Sequence, residues 1–161
     1  VFIYDSLGQP LADARVPQSQ TELNQLAAAW SQLHEVDHDA LRVQAVPHQM
    51  KFSPVELRVR AGQAVRLIFE NPDLMQHNLL IVAPGTIDEV GELADQMATA
   101  PDGLAKQYIP ASPHVLHATP LIEPKARFEL RFTAPTQPGR YPYVCTFPGH
   151  WRMMRGVLIV E

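Results

Sequence analysis

The chain has 161 residues, 46% of them hydrophobic and 19% charged, with a formal net charge of -4. Length and composition fit one globular domain with a proper core, plus an extension. The absence of any Lys/Arg-rich run argues against a nucleic-acid or anionic-membrane surface, and no apolar run approaches the roughly 20 residues that span a bilayer.

Fifteen prolines, against an average usage of about 5%, point to short elements and long loops, because proline avoids helix interiors and central strands. The chain opens at Val1 with no methionine and no charged, apolar leader, which reads as a mature product or a domain cut from a longer polypeptide. Residues 1–40 are expected to be an N-terminal extension. Val1-Phe2-Ile3-Tyr4 has the composition of a short strand. Ser19-x-x-Glu22 is a capping-box pattern, and Leu23, Leu26, Ala27, Trp30 and Leu33 behind it predict an amphipathic helix over about 20–38. Trp30 on that stripe reads as a packing anchor. The helix ends in His34-Glu35-Val36-Asp37-His38, a formal H-E-x-x-H match. Asp37 puts a charge where an active-site helix wants an apolar face, and no third ligand follows, so the pair reads as solvated histidines.

From about residue 41 the hydrophobic period changes from 3.6 to 2. Leu41 to Val46, Val55 to Arg60, Val65-Leu67-Phe69 and Phe128-Leu130-Phe132 alternate between turn-forming stretches. Short alternating strands predict an antiparallel sandwich or barrel over 41–161. Thr86-x-x-Glu89 is a second capping box, predicting an inserted helix to about Met97 with Val90, Leu93 and Met97 on one face. The closing Val157-Leu158-Ile159-Val160 predicts a strand covered on both faces, with the N-terminal helix as the candidate cover.

The chemistry concentrates in Cys145-Thr146-Phe147-Pro148-Gly149-His150-Trp151-Arg152-Met153-Met154, which holds the only cysteine. A lone cysteine is most often a small buried hydrophobe, and one cysteine forms no internal disulfide. Here a thiol, an imidazole and thioethers share ten residues. That mixture of soft and intermediate donors suits copper, and two His, one Cys and a weak axial Met form the blue-copper pattern. The second histidine must come from elsewhere. His77, in Met75-Gln76-His77-Asn78-Leu79-Leu80-Ile81-Val82, stands where a turn-rich loop meets an apolar strand. His48, His114 and His117 lie in loops or at strand edges and are not expected as ligands.

Met-Gln-His-Asn at 75–78 and Cys-Thr-Phe-Pro-Gly-His-x-x-x-Met at 145–154 resemble the azurin and auracyanin family of blue copper proteins, the cupredoxins. The segments 104–110 and 115–122 are also similar to azurin, so the resemblance covers about residues 42–161. It implies an all-β Greek-key sandwich or barrel with one inserted helix and an N-terminal helical extension. It implies one copper ion, with His77, Cys145 and His150 as strong ligands and Met154 rather than Met153 as the weak axial one. The Gln76 backbone carbonyl takes the position that approaches copper from the opposite side. Asn78 matches the residue that ties the two ligand loops together, with Thr146 and Phe147 beside the ligands. The loop histidine emerges through an apolar docking patch in this family, placing Pro148, Trp151 and Met153 at a partner surface. The family disulfide has no counterpart, and Trp151-Arg152 replaces small residues.

The function these features imply is one-electron transfer by a type 1 copper centre, Cu(II)/Cu(I), as a carrier or as a relay domain of a larger oxidoreductase, rather than catalysis. Its partner would be a redox protein such as a c-type cytochrome or an associated dehydrogenase, and the family implies export to the periplasm. Copper enzymes need additional histidine clusters such as H-x-H pairs, and a dinuclear centre needs a second loop cysteine; neither is present. Non-redox copper binding or delivery is the competing reading.

Overall fold

The period-2 runs become strands whose alternate side chains enter one core. A computed structural model describes residues 19–22, 24–25 and 40–161. The chain divides into two compact units, 1–38 and 39–161. In the first, residues 20–22 and 24–25 are helical, and Ser19 Oγ accepts the Glu22 N–H at 3.2 Å, which is half of the expected capping box. The remainder of the expected 20–38 helix, the 1–4 strand, Trp30 and the 34–38 histidine pair lie outside the described residues.

The second unit is a sandwich of two sheets. One has the strand order β2-β1-β4-β7 and the other β3-β9-β8-β5-β6. The strands are β1 (Ala40–Val46), β2 (Lys51–Ser53), β3 (Glu56–Val59), β4 (Ala64–Glu70), β5 (Leu80–Val82), β6 (Val115–Ala118), β7 (Arg127–Thr133), β8 (Gly139–Val144) and β9 (Arg155–Val160). Val43, Phe52, Leu57, Leu67, Phe69, Ile81, Tyr143 and Leu158 meet between the sheets with Cys145 and Met154. The ligand loop is therefore continuous with the core.

Both sheets are mixed rather than antiparallel. β1 pairs parallel to β4, Val43 beside Phe69, and β3 pairs parallel to β9, Leu57 beside Leu158. Chain travel explains it: β2 folds back on β1, β3 leaves for the other sheet, and β4 returns on the far side of β1. Pro142 stands inside β8, with β9 on one side and β5 on the other. Its missing N–H is tolerated because pairing with β5 involves only Val144 and Tyr143.

The inserted helix α1 (Ile87–Thr99) lies on the outer face of the second sheet, where Leu80, Val82, Val90, Val144 and Trp151 form a second small core. Its buried face is Val90, Gly91 and Ala94, not Val90, Leu93 and Met97. The expected Thr86 cap also fails: Thr86 Oγ1 donates to Ala83 O at 2.8 Å and makes no cap bond. Asp88 and Glu89 in the first turn still complement the helix dipole. Two-sided burial belongs to β5, buried throughout its length, more than to β9, whose Val157 and Ile159 are only half-buried. Any cover from the N-terminal helix lies outside the described residues.

Candidate metal centre

Local structure delivers the donors from two places. His77 lies just before β5, its N–H and C=O both bonded to Ile122, at 3.3 and 2.7 Å. Cys145 follows β8, and its N–H donates to Met154 O at 3.1 Å, closing the loop that leads into β9. Gly149 takes φ +81°, a left-handed turn suited to glycine. The N–H groups of Met153 and Met154 then both bond His150 O, at 3.0 and 2.9 Å. That helical turn carries Met154 inward, fully buried, and leaves Met153 65% exposed.

The donor atoms of His77, Cys145 and His150 lie within 4.8 Å of one another, all three residues buried. Cys145 Sγ is 3.8 Å from His77 Nδ1 and 3.7 Å from His150 Nδ1. An ion bound trigonally, at about 2.0 Å from nitrogen and about 2.3 Å from sulfur, needs the two about 3.7 Å apart. The two sulfur–nitrogen separations therefore suit such an ion. Burial pushes the Cys145 thiol up to about 12, against the backbone N–H groups of Asn78 and Phe147. The site holds a neutral thiol unless a cation compensates the thiolate. Burial, reinforced by the charge of His77, lowers His150 to about 4, with Asp73 acting in the opposite direction. His150 is thus kept in the neutral form that binds a metal.

Asn78 joins the two ligand segments. Its Oδ1 accepts the Thr146 N–H at 2.8 Å, while Nδ2 donates to Thr146 Oγ1 at 2.9 Å and to Gln107 O at 3.0 Å. Phe147 packs edge-on against Tyr108 and lies 4.9 Å from the His150 ring. The Gln76 side chain turns away to Glu123, donating at 2.6 Å. Pro148 is half-buried. His48, His114 and His117 stand outside the cluster.

One placement departs from expectation. Trp151 is not presented to a partner: it is 5% exposed, with its ring on Gly91 of α1 and its Nε1 donating to Asp95 Oδ1 at 2.9 Å. Arg152 bonds the other Asp95 oxygen at 2.9 Å and, like Arg155, stacks on the indole. The two guanidinium groups favour the indole electrostatically, and Gly91, having no Cβ, leaves the ring its place against α1. His150 is likewise only 2% exposed, so no more than an edge of its ring can reach the surface.

Asp73 was not anticipated. It is buried, and its Oδ2 stands 3.0 Å from His77 Nε2. Burial opposes its ionisation, but hydrogen bonds from His77 and from the Leu74 and His48 N–H groups hold it down to about 2. Asn71-Pro72-Asp73 reads from sequence only as a turn. The available signal was a carboxylate four residues before a candidate ligand.

A β-sandwich with a buried two-histidine, one-cysteine cluster and a buried methionine in the same loop defines a mononuclear blue copper protein. The chain belongs to the plastocyanin/azurin family of copper binding proteins, whose family model matches residues 40–161, and copper is its cofactor. It is similar to auracyanin-A of Chloroflexus aurantiacus, 35% identical over 114 residues that cover 70% of this chain and 68% of that one. Auracyanin-B of the same bacterium is 30% identical over 80% of this chain, a match that spans about half of the relative's length, 54%. The solved structure of auracyanin A, a "blue" copper protein, superposes with a TM-score of 0.68 at 33% identity, covering 76% of this chain and 98% of that one. A dithionite-reduced auracyanin from Roseiflexus castenholzii gives 0.67 at 28%, covering 76% and 97%.

Proposed function

We propose that this protein transfers single electrons through one copper ion held by His77, Cys145 and His150, with Met154 as weak axial ligand. The observation that carries the reading is the buried N–S–N cluster, whose separations of 3.7 and 3.8 Å already match a trigonal ion. Copper supplies the Cu(II)/Cu(I) couple. The chain supplies a cage that moves little: Asn78 locks the two ligand segments together, and Trp151 anchors the loop to α1. The Asn78 and Phe147 N–H groups facing the sulfur temper the thiolate's donor strength. The burial of His77, Cys145, His150 and Met154 restricts a substrate's access to the ion, which favours a carrier over an enzyme.

Of the two loop methionines, only Met154 is buried beside Cys145 in the core, which supports it as the axial residue. Exposed Met153 and half-buried Pro148 flank His150 in the loop and support docking of a redox protein there, such as a c-type cytochrome or an associated dehydrogenase. No helix among the described residues is long and apolar enough to cross a membrane; family membership favours an exported protein. Potentiometric titration of the copper-loaded chain tests the reading. It should show one reversible step with a one-electron slope. Copper that binds but cannot be cycled reversibly would favour storage or delivery.

A further inference from the structure

The contacts of Asp73 divide unequally between its two oxygens. Oδ1 accepts two backbone N–H groups, Leu74 at 2.8 Å and His48 at 3.2 Å. Oδ2 is left for His77 Nε2 at 3.0 Å. The turn behind it is pinned: Asp73 N–H donates to Asn71 Oδ1, and Asn71 Nδ2 donates to Met75 O and Ile122 O. Ile122 is the same residue that holds the His77 backbone. Main chain and ring of His77 are therefore fixed by one network.

An ionised carboxylate can only accept, so the hydrogen on a singly protonated His77 ring must lie on Nε2. The lone pair then falls on Nδ1, the nitrogen that faces Cys145 Sγ. Among the described residues His150 has no carboxylate partner. One half of the site is set in advance by a buried anion, the other by the loop.

We propose that Asp73 is a positioning residue for copper loading, fixing His77 as the Nε2–H tautomer so that Nδ1 is presented to the ion before it arrives. This rests on the copper reading above. It adds the device by which that site is preformed.

Asp73→Asn is the discriminating change. The amide oxygen can still accept from Leu74 and His48, so the turn survives. The amide NH2 then faces His77 Nε2, and as a donor it favours the opposite tautomer, with the hydrogen on Nδ1. A residue that served only the turn would tolerate this substitution. Nitrogen-15 NMR of the full-length, metal-free chain should show Nε2–H for His77 in the natural protein and a shift toward Nδ1–H in Asp73→Asn. Cu(II) affinity should fall by about 10- to 100-fold, while the amplitude of the thermal unfolding transition confirms that the variant is folded. An unchanged tautomer overturns the proposal, whether affinity is retained or falls. Because the tautomer is read without metal, failure of the natural protein to bind copper would sink the functional reading and leave this measurement intact.

Discussion

Gly91 is a helix residue at which the usual effect of alanine should reverse. In an exposed helix interior, Gly→Ala stabilises by about 1 kcal/mol. Here a Cβ would lie 2.2 Å from Trp151 Cε3, with two further ring atoms at 2.3 and 2.6 Å. Contacts that short across a rigid ring cannot be relieved by a rotamer change. The whole indole must lift off α1, and it is held by Asp95 and flanked by Arg152 and Arg155. Overpacking of this kind costs about 1–3 kcal/mol. With the propensity gain of about 1 kcal/mol subtracted, Gly91→Ala should lose up to about 2 kcal/mol in urea unfolding of the metal-free protein. The same displacement pulls on the residue next to His150, so the copper-loaded variant should show an altered visible spectrum. Equal or greater stability with an unchanged spectrum would refute the view that Trp151 is clamped between α1 and the ligand loop.

Two further outcomes follow from the buried donors. His150 has a folded-state value of about 4 against about 6.5 unfolded. The unfolded chain binds the extra proton, so stability of the metal-free protein is full above about pH 6.5 and falls as pH drops toward 4, by on the order of 2–3 kcal/mol. Denaturant titrations at pH 7 and 4.5 measure it, and His150→Gln should flatten the difference; the stability that Asp73 contributes, its carboxyl held at about 2, is present through this window and is lost only as pH falls further toward 2. Met154→Leu, a near-isosteric change in a buried position, should cost less than about 1.5 kcal/mol yet shift the reduction potential. Met153→Leu at the exposed neighbour should shift neither, as electrochemistry on the pair would show.

The alternating runs at Val43-Ala45, Leu57-Val59 and Val65-Leu67-Phe69 were legible because burial on one face of a strand imposes period 2 in the sequence itself. The loop from Cys145 to Met154 was legible because its donors lie close together in the chain. Strand orientation was not, since alternation records which face is buried and not which neighbour lies beside it. That is why the parallel β1/β4 and β3/β9 pairs were read as antiparallel. Trp151 was read as exposed because its environment is Gly91 and Asp95, some sixty residues upstream. Thr86 carries the letters of a cap, but its hydroxyl finds the Ala83 carbonyl first. Asp73 looked like turn chemistry, which it also performs through Leu74 and His48. Its second role is invisible until His77 is folded against it.

Addition of Cu(II) to the metal-free full-length chain, followed in the visible spectrum, tests the central claim most directly. Binding of one ion should produce an intense thiolate-to-copper absorption that saturates at one equivalent and is absent in Cys145→Ser. A colourless complex, or a Cys145 thiol that stays titratable by thiol reagents after copper is added, would contradict the assignment of His77, Cys145 and His150 as a copper site.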